Sequence, residues 1–236
     1  MGNYKPFPFK IPFTRPVTIP FKRPFDVAND CVLCLIPEIR TKWFDQSING
    51  LNGVLTGCTK VEGRFGMGLS FNGTSNSVQT ADSAVFDVGE TLTVMAWFKT
   101  SATSIDNVGI VCHDTSDYKY MLYITNNGTR LRFFVRTASG VVYATKEGDY
   151  ANNKWHHYCG VYDKNLATAR VKMYVDGVLE NSVDGVDESI AAGDEGLTIG
   201  HLGTHYFDGI IDEVEVSNRA YTAKEIAMIY DVGKPE

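Results

Sequence analysis

The sequence predicts an all-β chain: a two-sheet antiparallel β-sandwich of the jelly-roll type, preceded by an extended N-terminal arm and closed by one short C-terminal helix. Three observations lead there. Short apolar or alternating runs separated by turn residues fill most of the 236 residues, proline recurs every fourth residue from Pro8 to Pro24, and only one helix start is well marked. The expected division is an arm over 1–28, one large domain over 29–232 and a tail over 233–236.

The arm comes first. Pro8, Pro12, Pro16, Pro20 and Pro24 exclude a helix. An extended chain alternates its side chains, so Phe9, Ile11, Phe13, Val17, Ile19, Phe21 and Phe25 share one face with Arg15 and Arg23. Every proline removes a donor from the same edge, so the segment can pair on one side only. At roughly 3.3 Å per residue it spans about 55–60 Å, too long for all seven apolar groups to be buried against one small domain. Lys5, Lys10, Arg15, Lys22 and Arg23 all precede the first acidic residue, Asp26. A docking arm for an acidic protein surface is expected; a Pro-rich linker is the alternative.

The body follows as strands. Leu92–Phe98, Tyr118–Ile124, Leu131–Val135, Trp155–Tyr162, Val171–Val175 and Ile210–Val216 alternate or are fully apolar. Ala169–Val175 alternates strictly, and Asp176-Gly177 supplies the two left-handed residues of a type I′ hairpin turn. Thr222-Ala-Lys-Glu225 is a capping box, with Ile226, Ile229 and Tyr230 at helical spacing behind it.

Composition narrows the function. The net charge of −6 is modest and mixed in sign along the body, which gives no basic stripe for nucleic acid. No run approaches the ~20 apolar residues of a membrane span, and the N-terminus does not read as a secretory signal. Cys31, Cys34, Cys58, Cys112 and Cys159 are read as buried thiols rather than a disulfide framework. Cys31 and Cys34 lie three apart in an apparent strand, on opposite faces, which disfavours a redox or zinc pair.

Ordered landmarks then carry a resemblance. Asp45-Gln-Ser-Ile-Asn-Gly-Leu-Asn52-Gly53, Gly63-Arg-Phe-Gly66 through Phe71-Asn-Gly73, Leu92-Thr-Val-Met-Ala-Trp97-Phe, Lys154-Trp-His-His157, Tyr174-Val-Asp-Gly177, Phe207-Asp-Gly209-Ile-Ile-Asp212-Glu-Val214 and Asn218–Glu225 follow one another along residues 31–230. Together they resemble the concanavalin-A-like, laminin-G-like jelly-roll family. The resemblance implies a sandwich, and a structural calcium held by the Asp212 carboxylate and the Gly73 carbonyl. The alternative for Asp212 is hydrogen bonding to nearby backbone amides. Trp97 and Trp155 are expected to fill the core.

Catalytic constellations are weak. Glucan hydrolases of this fold carry paired carboxylates; the nearest approach is Asp212-Glu213-Val-Glu215, where strict alternation puts Glu213 and Glu215 on one face and Asp212 on the other. His156 and His157 face opposite ways. His201 and His205 span a loop without a visible third ligand. Asp106, Asn107, Asp114 and Asp117, with His201 and His205, are candidates for a ligand-binding rim, against the simpler reading of solvated turns.

A non-catalytic structural and recognition protein of a large assembly is therefore expected, a virion or phage capsid decoration or surface protein. The arm would hold a capsid or shell protein, and the sandwich would face outwards toward a glycan or cell-surface ligand. Its place would be a virion or extracellular surface, with no nucleic acid and no membrane insertion. The sequence also allows homo-oligomerisation. The rivals are a secreted carbohydrate-binding module and a glycan hydrolase.

Overall fold

Alternating side chains need a buried and a solvated side, and the chain meets that need with two antiparallel layers. A computed structural model describes residues 31–36, 42–113, 117–185 and 187–233; the arm over 1–28, Asp114 and residues 234–236 lie outside them. The first strands are β1 (Cys31–Ile36), β2 (Lys42–Asp45), β3 (Gly53–Thr56), β4 (Thr59–Glu62), β5 (Met67–Asn72), β6 (Ser77–Gln79), β7 (Thr91–Lys99), β8 (Val108–His113) and β9 (Tyr120–Thr125). Then come β10 (Arg130–Thr137), β11 (Gly140–Glu147), β12 (Trp155–Asp163), β13 (Val171–Val175), β14 (Val178–Val183), β15 (Leu197–Ile199), β16 (His201–Leu202), β17 (His205–Tyr206) and β18 (Asp208–Ser217). The helix α1 (Ala223–Gly233) closes the fold.

One layer runs β14-β13-β12-β7-β18-β1, with β5 and β4 beside the start of β18. The other runs β11-β10-β9-β8-β15-β6-β3, and β2 pairs with both β1 and β3, which joins the two. Leu92, Val94, Ala96 and Phe98 of β7 meet Leu131, Phe133 and Val135 of β10 in a shared core with Tyr158 and Tyr162 of β12. Gly160 lets the Phe133 ring press on the β12 backbone, where any Cβ would strike it. The β13–β14 turn has both residues left-handed, Asp176 at φ 50° and Gly177 at φ 78°, as the sequence predicts for type I′.

The outer face of the first layer is covered by α1. Met95, Cys159, Val161 and Tyr174 pack against Tyr221, Ile226 and Ile229. The capping box forms: Thr222 N donates to Glu225 Oε2 at 2.8 Å, and Glu225 N donates to Thr222 Oγ1 at 3.3 Å. Trp97 belongs to this outer layer, stacked on Tyr230 at 5.7 Å and edge-on to Phe65 at 6.3 Å, rather than to the core between the sheets. Trp155 is only half-buried at the start of β12. Trp97 is buried as expected, though under the helix and not between the sheets, and the expectation for Trp155 is corrected; β7 has apolar side chains on both faces because its outer face lies under the helix.

The closing strand departs from strict alternation. Asp212 pairs with Trp97 but Glu215 pairs with Met95, so a bulge inserts one residue between them. Glu213 takes the left-handed conformation there, φ 50°. The bulge resets the phase. Val214 and Val216 point into the core, while Asp212 and Glu215 both oppose outward residues of β7 and share the face beneath α1. The expected pairing of Glu213 with Glu215 is therefore wrong, and its cause is the extra residue.

Candidate functional site

The carboxylates under α1 are structural in their surroundings. Asp212, Glu213 and Glu215 are 0%, 5% and 0% exposed. Asp212 Oδ2 accepts from Arg64 N at 2.7 Å and Phe65 N at 3.0 Å, and Oδ1 accepts from Glu213 N at 2.9 Å. Glu215 Oε1 accepts from the Tyr221 hydroxyl at 2.5 Å. Burial, and then the charge of Glu213, push the Asp212 carboxyl up to about 7, against the pull of those three amides.

Gly73 lies elsewhere. Its N–H donates to Phe207 O at 2.9 Å, past the Asn72–Asp208 pair at the far end of β5, whereas the loop at the Asp212 carboxylate is Gly63-Arg64-Phe65. Five residue steps along the chain separate Phe207 from Asp212, about 16 Å in extended conformation. Asp212 and Gly73 do not fit a shared calcium ion, and the amide-bonding alternative is what Asp212 does. Among the described residues no group of three or more His, Cys, Asp or Glu is placed to hold a metal ion.

The opposite outer face, over β8–β11, carries no helix among the described residues. Inward residues of β10 are Leu131, Phe133 and Val135, so Arg130, Arg132, Phe134 and Arg136 point outward. Phe134 pairs across the strands with Tyr143 on one side and Met121 on the other. Cys112, Met121, Tyr123, Phe134 and Leu202 form an apolar floor. The β16–β17 hairpin crosses this floor, its His201 ring stacked on Tyr206 at 4.5 Å. Beside it lies an aromatic groove of about 490 Å³ bounded by Tyr118, Tyr123, Phe134, Tyr143, Asn107 and His205.

On the hairpin's other side is a polar cavity of about 340 Å³ with Asn72, Ser104, Asp106, His205 and Asp208 on its walls. The cavity and the groove share Thr204 and His205. Its loops are held by side chains: Asn72 Oδ1 accepts from the backbone N–H of Thr74, Ser75 and Asn76 at 3.0–3.1 Å. Asp106 Oδ1 accepts from the Thr125 hydroxyl and from Asn126 N at 2.7 Å, and those bonds hold its carboxyl below the usual range. Asp106 is therefore a fixed anion at the cavity wall.

Of the six rim candidates, Asp106, Asn107 and His205 converge here. His201 Nε2 donates within its own hairpin, to Gly203 O. Asp117 does not join them. It lies near the far end of the β8–β9 hairpin, bonded to Lys119 Nζ at 2.7 Å and 3.5 Å from Arg136 Nε. Asp114 falls outside the described residues. The rim expectation is corrected to one end of the hairpin, because antiparallel pairing of six-residue strands separates the two loops by the strand length. The aromatic floor was not singled out from sequence.

These features define a two-layer sandwich of the lectin-like class. A family model, the concanavalin A-like lectin/glucanases superfamily, matches residues 72–227, and the chain belongs to that superfamily. A search of curated proteins finds no match. Similar solved structures include the binding domain of Paraclostridial Mosquitocidal Protein 1, with TM-score 0.72 and 16% identity, covering 87% of this chain and 53% of that one. The binding domain of Botulinum Neurotoxin DC in complex with SialylT gives TM-score 0.70 and 11% identity, covering 88% and 52%. The same domain in complex with rat synaptotagmin II gives TM-score 0.68 and 11% identity over the same shares. The chain thus spans about half the length of these structures, and the likeness is one of fold.

Proposed function

We propose that the protein is a non-catalytic recognition module whose outer β8–β11 face binds a saccharide. The observation that carries this reading is the aromatic groove joined to a polar cavity across one hairpin. Aromatic rings offer flat apolar faces to sugar rings, and nearby carboxylates and amides accept or donate to hydroxyls. Structures of similar fold were solved with SialylT and with synaptotagmin II, and the type C botulinum neurotoxin's cell entry depends on two ganglioside molecules. Those are properties of the toxins; they support recognition as a use of this scaffold.

The hydrolase alternative is weakened by burial, because Asp212, Glu213 and Glu215 are all buried and none of them lines either cavity. In the fuller reading, the arm over 1–28 staples the module to the shell of a virion or phage capsid, with the sandwich outward. Deleting residues 1–25, or changing Phe9, Phe13 and Phe21 together to Ser, is then expected to release the protein from its assembly with the sandwich folded. Wild-type occupancy after deletion would remove the anchor.

Glycan-array binding by the full chain tests recognition itself. Tyr143→Ala is expected to lower binding of any hit by about tenfold, since one buried stacking contact is worth about 0.5–1.5 kcal/mol beyond area burial. An array without a hit, or a hit indifferent to Tyr143, would contradict the reading.

A further inference from the structure

The outward face of β10 carries three arginines, and they differ in what they hold. Arg130 is paired with Glu147. Arg136 donates to Tyr118 O at 3.1 Å and faces Asp117 at 3.5 Å. Arg132 has no carboxylate within ion-pairing distance among the described residues: its Nη1 donates to the Tyr123 hydroxyl at 3.4 Å, and its guanidinium lies 5.0 Å from the centre of the Tyr143 ring. Its Nε is shut off from solvent and has no hydrogen-bond acceptor. Tyr123 and Tyr143 are both walls of the aromatic groove, and Tyr143 is 46% exposed. A planar cation is therefore held beside the groove, by the Tyr143 ring and the Tyr123 hydroxyl, and the neighbouring carboxylate Glu147 is ion-paired with Arg130 instead.

Resting on the saccharide reading above, we infer that the groove takes an acidic saccharide, with the sugar carboxylate on Arg132. A guanidinium fork matches a carboxylate in plane, and such a charge-assisted pair is stronger than a neutral one. The groove is also polar in direction. Asp106 and Asp208 stand in the adjoining cavity, where they repel an anion and accept from hydroxyls. The acid end of the ligand therefore lies at Arg132, and the hydroxyl-rich end lies toward His205 and Asp106.

The test uses the full chain and four probes: 3′-sialyllactose and trigalacturonate against lactose and maltotriose, titrated calorimetrically. The acidic pair is expected to bind about tenfold more tightly than the neutral pair, and raising salt roughly tenfold should weaken only the acidic pair. Arg132→Gln should bring the ratio close to one, and Arg132→Lys should restore part of it, because charge remains but the fork is lost. An unchanged near-ultraviolet circular dichroism spectrum shows that each variant keeps its fold. Equal binding of acidic and neutral probes by the wild type, or a preference that survives Arg132→Gln, overturns the acidic-ligand inference and leaves saccharide recognition standing. No binding of any probe overturns both.

Discussion

The sandwich has two outer faces, and the chain treats them in opposite ways. Over β7 and β12 the outward residues Met95, Trp97, Cys159 and Val161 are covered by α1 and are at most 1% exposed. Over β10 and β11 the outward Phe134 packs in a small cluster with Leu202 of a two-stranded hairpin, and Tyr143 remains 46% exposed. Carboxylates under the helix are spent on backbone amides and a tyrosine hydroxyl, while Asp106 and His205 on the other face stand at cavities and Arg132 lies against two walls of the groove. Apolar and charged side chains are thus buried on one face and left at open cavities on the other, and what decides is whether a later element covers them.

Deleting residues 222–236 should produce the largest effect. It uncovers the apolar patch that Ile226 and Ile229 seal, at roughly 1.5–3 kcal/mol for each buried side chain, so denaturant unfolding should lose about 4 kcal/mol or its cooperativity. Tyr143→Ala on the open face should shift the same midpoint by less than about 1 kcal/mol. If the two changes cost the same, the faces do not differ as described.

Asp212→Ala comes next, at about 3 kcal/mol, because it leaves the part-buried amides of Arg64 and Phe65 and the buried amide of Glu213 without their acceptor. Saccharide binding should be unchanged. The same residue gives a pH signature. The folded carboxyl keeps its proton up to about 7, while the unfolded one releases it near its ordinary 3.8. Between those values the folded state binds more protons, so this group's contribution to stability falls as pH rises from about 4 to about 7. Thermal melts across that window should show the slope in wild type and lose it in Asp212→Asn.

Thr222→Ala should be smallest, about 1 kcal/mol, by removing the cap of α1. Its effect on melting should not reach the groove.

Strands, the type I′ turn and the capping box were legible because each is a local pattern with a local cause. Leu131-Arg-Phe-Phe-Val announces β10, and Asp176-Gly177 announces the β13–β14 turn, whatever lies across the sheet. What alternation could not show was the bulge at Glu213. One inserted residue has no marker in Asp-Glu-Val-Glu, yet it moved Asp212 and Glu215 onto one face. The position of Gly73 relative to Asp212 depends equally on register, which the strands' own residues do not encode. Trp97 was read as core because its strand is apolar throughout, and only the covering helix distinguishes outer from inner. The groove left a faint signal: Arg132, Phe134 and Arg136 occupy the solvent phase of β10, and an aromatic between two cations there marks a surface kept for contact. Asp106, Asn107 and His205 were found as loop residues, but their convergence needed the β16–β17 hairpin.

Chemical-shift mapping during titration of an array-selected saccharide tests the recognition claim most directly. The prediction is that ring signals of Tyr123, Phe134 and Tyr143, with the amides of Asn107 and His205, shift together and saturate with one affinity, while Trp97, Tyr221 and Tyr230 stay in place. Shifts confined to Trp97 and the helix, with the β8–β11 face silent, would contradict it.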